Sequence, residues 1–161
     1  MIRIFQHGDH MAIARIFTSA IHEIASEVYS AEQCEAWCAK EVNYAHWRNR
    51  CELKRPFVAV VGDQIAGFLE LDPDGHIDCA YINPKFRRKG IMSALVRHAV
   101  DTCFSCDIVR LHVDASICAK PMFEKLGFTL IRENIVNLRG VELLNYKMEL
   151  LKERALPTVI G

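Results

Sequence analysis

The chain has 161 residues, 51% of them hydrophobic, and its 20 Lys+Arg balance its 20 Asp+Glu. That length suits one domain able to bury a core without staples, and the charge balance leaves no net field to draw the protein to nucleic acid or an acidic membrane, so any basic site must be local. No apolar run reaches a membrane span, and seven cysteines spread over helix-like and strand-like segments suit reduced thiols, so a cytoplasmic protein is expected.

Residues 2–6 predict a short strand, and Gly8-Asp9 a turn with a helix N-cap. Ile13, Ile16, Phe17, Ala20, Ile21 and Ile24 recur at helical spacing, so the first helix buries one face. Ser30 and Gln33 form a capping box that opens a second helix carrying Cys34, Trp37 and Cys38 on one side, and a further helical segment around residues 44–51 carries Trp47. Tyr29, Trp37 and Trp47 make this region aromatic, which serves either core packing or a substrate wall. Residues 57–61 and 65–71 read as a hairpin of strand formers, and Asp72-Pro73-Asp74-Gly75 is the strongest turn signal in the chain. A third strand of this meander runs over residues 76–83. Alternation puts His76, Asp78, Ala80 and Ile82 on one face and Ile77, Cys79 and Tyr81 on the other.

The strand ends at Asn83-Pro84, the cations Arg87-Arg88-Lys89 follow, and Gly90 sits where a helix beginning near Arg87 would turn its free N–H groups outward. Such a helix start favours a phosphate, because first-turn N–H groups lack intrahelical partners and the helix dipole adds positive charge. This helix is expected to run to about Cys103, burying Ile91, Leu95, Ala99 and Met92, Val96, Cys103. A strand over 109–114 then joins by a parallel crossover. The next helix ends at Gly127, and Pro121 requires that it start nearer Ala119 or with a distorted first turn. Residues 128–136 and 141–150 form a second hairpin, and 151–161 read as a C-terminal tail behind one domain spanning 1–150. Cys103 and Cys106 form a Cys-x-x-Cys at a helix C-terminus, where the dipole disfavours thiolate. No second close pair completes a zinc set, so no metal is expected.

Strand, two helices, three-strand meander, helix, strand, helix and two strands is the element order of the GNAT N-acetyltransferase superfamily. Arg87-Arg88-Lys89-Gly90-Ile91-Met92 resembles its Arg/Gln-x-x-Gly-x-Gly/Ala signature at the first two fixed positions and departs at Met92. Ala119, Pro121 and Leu126-Gly127-Phe128 resemble a second family signature. Tyr29-Ser30, Ala36-Trp37, Val113-Asp114-Ala115-Ser116 and Ala119-Lys120-Pro121 are, more narrowly, similar to the bacterial YafP-type branch. The resemblance implies an α/β fold with a mixed central sheet of about seven strands, helices on both faces, and an acetyl-CoA cleft where the fourth and fifth strands splay. It implies a pyrophosphate site at Arg87, Arg88, Lys89, Gly90, Ile91, Met92 and Ser93. Pantetheine would meet the backbone of Ala80, Tyr81 and Ile82, with Ser116, Ala119 and Phe123 on the opposite wall.

The implied chemistry is direct attack of a primary amine, from a small molecule or peptide, on the acetyl-CoA thioester. A group within direct or one-water reach must take the amine proton, and Glu70, His76 and Asp78 are the candidate bases. Relatives often protonate the departing thiolate with a tyrosine at the position of Phe123. Phenylalanine cannot donate, which leaves Ser116 or a water as substitute acid. Tyr29 and Trp37 are the candidate acceptor wall. The partners expected are acetyl-CoA and an amine, with a homodimer left open. A non-catalytic acyl-CoA sensor is the alternative, since the basic loop serves binding under both readings.

Overall fold

The computed structural model describes residues 1–154, so the expected tail over 151–161 lies mostly outside the described residues. Seven strands form one open sheet in the order β1-β2-β3-β4-β5-β7-β6, comprising β1 (Ile2–Ile4), β2 (Phe57–Val61), β3 (Gln64–Leu71), β4 (His76–Ile82), β5 (Arg110–Ala115), β6 (Thr129–Leu138) and β7 (Val141–Leu151). Every neighbouring pair is antiparallel except β4 and β5, which run parallel. The helices are α1 (His10–Ser19), α2 (Ala31–Trp37), α3 (Tyr44–Lys54), α4 (Ile91–Ser105) and α5 (Lys120–Lys125). α1 and α3 cover one face, through Ile13, Ile16, Trp47, Val58 and Phe68. α4 and α5 cover the other, through Leu69, Ile77, Leu95, Val113, Phe123 and Met148. A third cluster, Ile21, Ala25, Tyr29, Cys34 and Leu143, seats α2 against β7.

Local chemistry explains most boundaries. The Ser30–Gln33 capping box is complete, with Gln33 N–H donating to Ser30 Oγ at 3.1 Å and Ser30 N–H to Gln33 Oε1 at 2.8 Å. Pro121 falls in the first turn of α5, where its missing N–H costs no helix bond, so the later start is the one adopted. Gly75 closes the β3–β4 turn at φ +93°. A Cβ there would stand 2.1 Å from the Arg110 carbonyl oxygen, so only glycine lets β5 approach.

Several expectations need correction. Asp9 makes no side-chain cap; its carboxylate instead pairs with Arg3 at 2.7 Å and accepts from Gln6 N–H at 2.8 Å. The first helix continues past Ser19 as a π-helical segment (Ala20–Ile24) and a 3₁₀ turn (Ala25–Glu27). The first strand of the second hairpin runs to Leu138, two residues beyond its expected end, so the turn narrows to Arg139 and Gly140, both at positive φ, the backbone that a two-residue turn between twisted strands requires. α4 begins at Ile91, not near Arg87: Pro84–Phe86 form a 3₁₀ turn, and Gly90, at φ +75°, is the N-cap. Finally, β4 does not alternate regularly. Glu70 pairs with Cys79 and Leu71 with Ile77, leaving Asp78 in a bulge.

Candidate active site

β4 and β5 pair only at His76↔His112 and Ile77↔Val113, and then diverge. Asn83 N–H bonds to the Ala66 carbonyl on the β3 side, so strand alternation turns the peptide groups of Ala80 and Ile82 toward the gap. The gap opens into a cleft of about 320 Å³. Ala80, Tyr81, Ile82, Arg87, Arg88 and Met92 form one side; Ser116, Cys118 and Ala119 form the other; Ile24, Ala25 and Trp37 close it from above. A smaller space of about 70 Å³ continues to the apex between Ile77, Asp78, Val113, Ser116 and Phe123.

At the mouth, the first α-helical bond of α4 runs from Ala94 N–H to the Gly90 carbonyl at 3.0 Å. The N–H groups of Ile91, Met92 and Ser93 precede it and have no helix partner. A Cβ built on Gly90 would meet nothing within 4 Å, so the approach to these donors is open. Arg88 and Lys89 are exposed beside it, while Arg87 is ion-paired with Glu27 at the end of the first helical region. Met92 both lines the cleft and packs against the α4-side core, as a flexible thioether can.

The three candidate bases occupy different environments. Glu70 is 1% exposed, and Arg50 closes on both its oxygens, Nε to Oε1 at 2.6 Å and Nη2 to Oε2 at 2.7 Å. Asp78, turned by the bulge, lines the apex and takes Arg50 Nη2 at 3.0 Å and Lys54 Nζ at 2.8 Å on one oxygen. Burial pushes its carboxyl up, but the Lys54 hydrogen bond and the charges of Lys54 and Arg50 outweigh that and hold it below the ordinary value. His76 stands at the closed end of the splay, with Nδ1 3.1 Å from Asp72 Oδ2 and its ring stacked on His112 at 4.8 Å. An unbroken chain of ion pairs thus runs from Glu70 through Arg50, Asp78 and Lys54 to Asp72, whose other oxygen meets His76.

On the facing wall, Ser116 Oγ accepts from Ala119 N–H at 3.2 Å and lies 3.2 Å from Cys118 Sγ. Phe123 is 2% exposed, stacks edge-on against Phe128 at 5.0 Å, and brings no hydroxyl to the apex. Of the expected aromatic wall, Trp37 lines the cleft. Tyr29 does not: it is 5% exposed in the third core cluster. Its hydroxyl donates to the Leu144 carbonyl at 2.6 Å and accepts Ile117 N–H at 3.0 Å, fixing the loop that carries Ser116 and Cys118. Tyr81 packs its ring among Phe17, Trp37 and Phe68, and burial raises its phenol well above the ordinary value.

The sequence reading missed Arg50, Lys54 and Glu27. A signal existed for the first two: Trp47, Arg50, Cys51 and Lys54 follow i, i+3, i+4, i+7 spacing, which places two cations on the apolar stripe of α3. Glu27 meets Arg87 only through tertiary packing. Among the described residues no group of acidic, histidine and cysteine side chains is arranged to hold a metal ion, and no helix is long and apolar enough to cross a membrane.

A parallel strand pair that splays over a helix N-terminus, with free strand N–H groups beside it, defines an acyl-transferase type of site. Residues 25–150 match the family model described as acetyltransferase (GNAT) domain, and the chain belongs to that family: it is a GNAT acetyltransferase. The chain is 32% identical to the uncharacterized N-acetyltransferase YafP of Escherichia coli (strain K12) over 147 residues, 91% of this chain and 93% of that one. Among solved structures it resembles a GCN5-related N-acetyltransferase from Rhodopseudomonas palustris, with TM-score 0.87, 26% identity and 94% of each chain covered. It shares its fold with Salmonella typhimurium YncA, solved with its cofactor acetyl-CoA, at TM-score 0.71, 18% identity and coverage of 99% of this chain and 98% of that one.

Proposed function

We propose that the protein transfers an acetyl group from acetyl-CoA to a primary amine by direct attack within the β4–β5 cleft. The splay itself carries this reading: it frees the Ala80 and Ile82 peptide groups to pair with a pantetheine arm as an added strand would, and the α4 N-terminus at its mouth has free N–H groups that suit a pyrophosphate. The acetyl-CoA complex of YncA supports the same cosubstrate here. Arg88 and Lys89 supply the neighbouring positive charge; Arg87 contributes to the extent that an incoming phosphate displaces Glu27.

In the reaction the neutral amine forms a C–N bond to the thioester carbonyl carbon, and the C–S bond then breaks. A free cleft N–H of Ala80 or Ile82 stabilises the oxyanion between these steps. The amine proton leaves through water. Asp78 is the carboxylate at the apex, and with its pKa held low it serves to orient the incoming ammonium and its water, not as a strong base. Glu70, enclosed by Arg50, holds α3 against the sheet and keeps Arg50 aimed at Asp78. The CoA thiolate leaves without a phenol at position 123 and takes its proton from water or through Ser116, which a thiol pKa near 8.5 permits.

Two measurements test this reading: a thermal scan with millimolar acetyl-CoA, and free-thiol release from acetyl-CoA over an amine panel. A raised midpoint together with amine-dependent release supports it. A raised midpoint with no release from any amine identifies an acyl-CoA-binding protein instead. An unchanged midpoint refutes the cofactor site.

A further inference from the structure

Beside the cofactor cleft, on the far side of Trp37, lies a second and larger cavity of about 700 Å³ between α1, the α2–α3 connection and the β6–β7 turn. Phe17, Trp37 and Tyr44 line it, with the largely buried Trp47 behind them, while Glu41 and Arg139, both exposed, bring one charge of each sign to its rim. Neither Glu41 nor Arg139 has an ion-pair partner among the described residues. Opposite charges that line one cavity without meeting each other leave it dipolar. A simple cation is repelled by Arg139, a simple anion by Glu41, and a ligand carrying both signs satisfies both.

The cavity shares a wall residue with the place where acetyl transfer would occur. Trp37 lines this space, the cofactor cleft and the apex beside Asp78. Phe17 touches Tyr81 edge-on at 5.0 Å, and Tyr81 lines the cleft. Burial raises the thiol of Cys38, which also lines the cavity, above its ordinary value, and the Thr18 hydrogen bond and the charge of Arg139 oppose that shift without reversing it. A peptide that crosses the Trp37 edge from the charged rim therefore directs its amine end toward the splay.

We propose that this cavity is the acceptor site and that it takes zwitterionic amines of the short-peptide class, whose carboxylate meets Arg139 and whose apolar body lies along Trp37. This rests on the acetyl-transfer reading and adds the substrate class to it. Before entry, Glu41 attracts the ammonium group. At the thioester the same nitrogen, its proton passed to water, forms the C–N bond, and the C–S bond then breaks to give an N-acetyl peptide and CoA.

The chain's two tryptophans both line the cavity, so intrinsic fluorescence reads occupancy without any turnover. Leucyl-leucine, its C-terminal amide and its N-acetyl derivative are titrated against the full chain with CoA present. The zwitterion is expected to bind at least about tenfold more tightly than either singly charged analogue, the scale of one charged hydrogen bond. Arg139→Asn, which suits the left-handed backbone at φ 53°, should reduce the dipeptide to the level of its amide, whereas Arg139→Lys should retain part of the preference. Equal affinity for all three ligands, an unaltered preference in Arg139→Asn, or no fluorescence response at ~10 mM ligand would overturn the proposal. Acetyl-CoA raising the melting midpoint while no zwitterion binds sinks the acceptor class alone. Zwitterion binding without any acetyl-CoA shift supports the cavity and sinks the acetyl-transfer reading.

Discussion

Replacing Tyr29 by phenylalanine removes one oxygen and keeps the ring, so its effect isolates the two hydrogen bonds that tie β7 to the β5–α5 loop. The ring should hold its edge-on contact with Trp37 at 5.5 Å. The Leu144 carbonyl and the Ile117 N–H would lose their partner at a site where the residue is only 5% exposed. A buried hydrogen bond contributes ~1 kcal/mol net, and leaving a buried group unsatisfied costs ~1–3 kcal/mol. Leu144, in β7, has a second lone pair and sheet neighbours to absorb part of the loss, so we expect ~2–3 kcal/mol in total. For a chain of this size that is a fall of roughly 5–10 °C in melting temperature. Because Ile117 adjoins Ser116 and Cys118 on the cleft wall, the surviving folded protein should also show a raised KM for acetyl-CoA with a smaller change in kcat. Urea titration gives the stability and thiol-release kinetics the KM. A stability loss below about 0.5 kcal/mol, or a loss of stability with cofactor KM unchanged, would refute the loop-positioning argument.

Gly90→Glu should abolish thermal stabilisation by acetyl-CoA, which at a hundredfold excess over Kd is worth ~2.7 kcal/mol and roughly 5–10 °C. Gly90→Ala should keep most of that shift, since the space around its Cβ is open and only the φ of +75° penalises it; equal loss in both variants would show that backbone strain, not charge at the anion site, is responsible. Phe123→Tyr directs a hydroxyl into the apex space beside Ser116, so turnover should rise with acetyl-CoA affinity nearly constant, the gain being at most the 10²- to 10⁴-fold of a general acid; a fall in kcat with intact folding would contradict this. Burial, followed by the charges of His76 and Arg110, holds His112 below its ordinary 6.5, so the unfolded chain binds more protons there. Its contribution to stability is therefore complete above pH 6.5 and lost as pH falls through the lower folded value. Urea midpoints should decline from pH 8 to pH 5, and His112→Gln should lessen that decline; an identical decline in the variant would assign it elsewhere.

The local features were legible in the sequence because each depends on a few neighbouring residues. The Ser30–Gln33 box, the Asp72–Gly75 turn, the α4 stripe of Leu95, Val96, Ala99 and Cys103, and the cations ahead of Gly90 need no distant partner to be recognised. Boundaries were less certain where tertiary contacts compete with local preference. Asp9 has the chemistry of an N-cap, yet Arg3 takes its carboxylate, and the cations precede α4 because a left-handed Gly90 starts it. The sequence also put Glu70, Asp78 and His76 near one another, but could not distinguish their environments. Only β3–β4 register, with its bulge at Asp78, and α3 docking decide that Glu70 is enclosed by Arg50 while Asp78 reaches the apex. Tyr29 and Trp37 are both large aromatics eight positions apart in the sequence; which one packs the core and which one faces the cleft depends on how α2 meets β7, whose residues lie more than a hundred positions away. Periodicity and capping act over one or two turns of chain, so a sequence displays them directly. Register, splay and the pairing of buried charges are agreements between distant segments, and they exist only once those segments have packed.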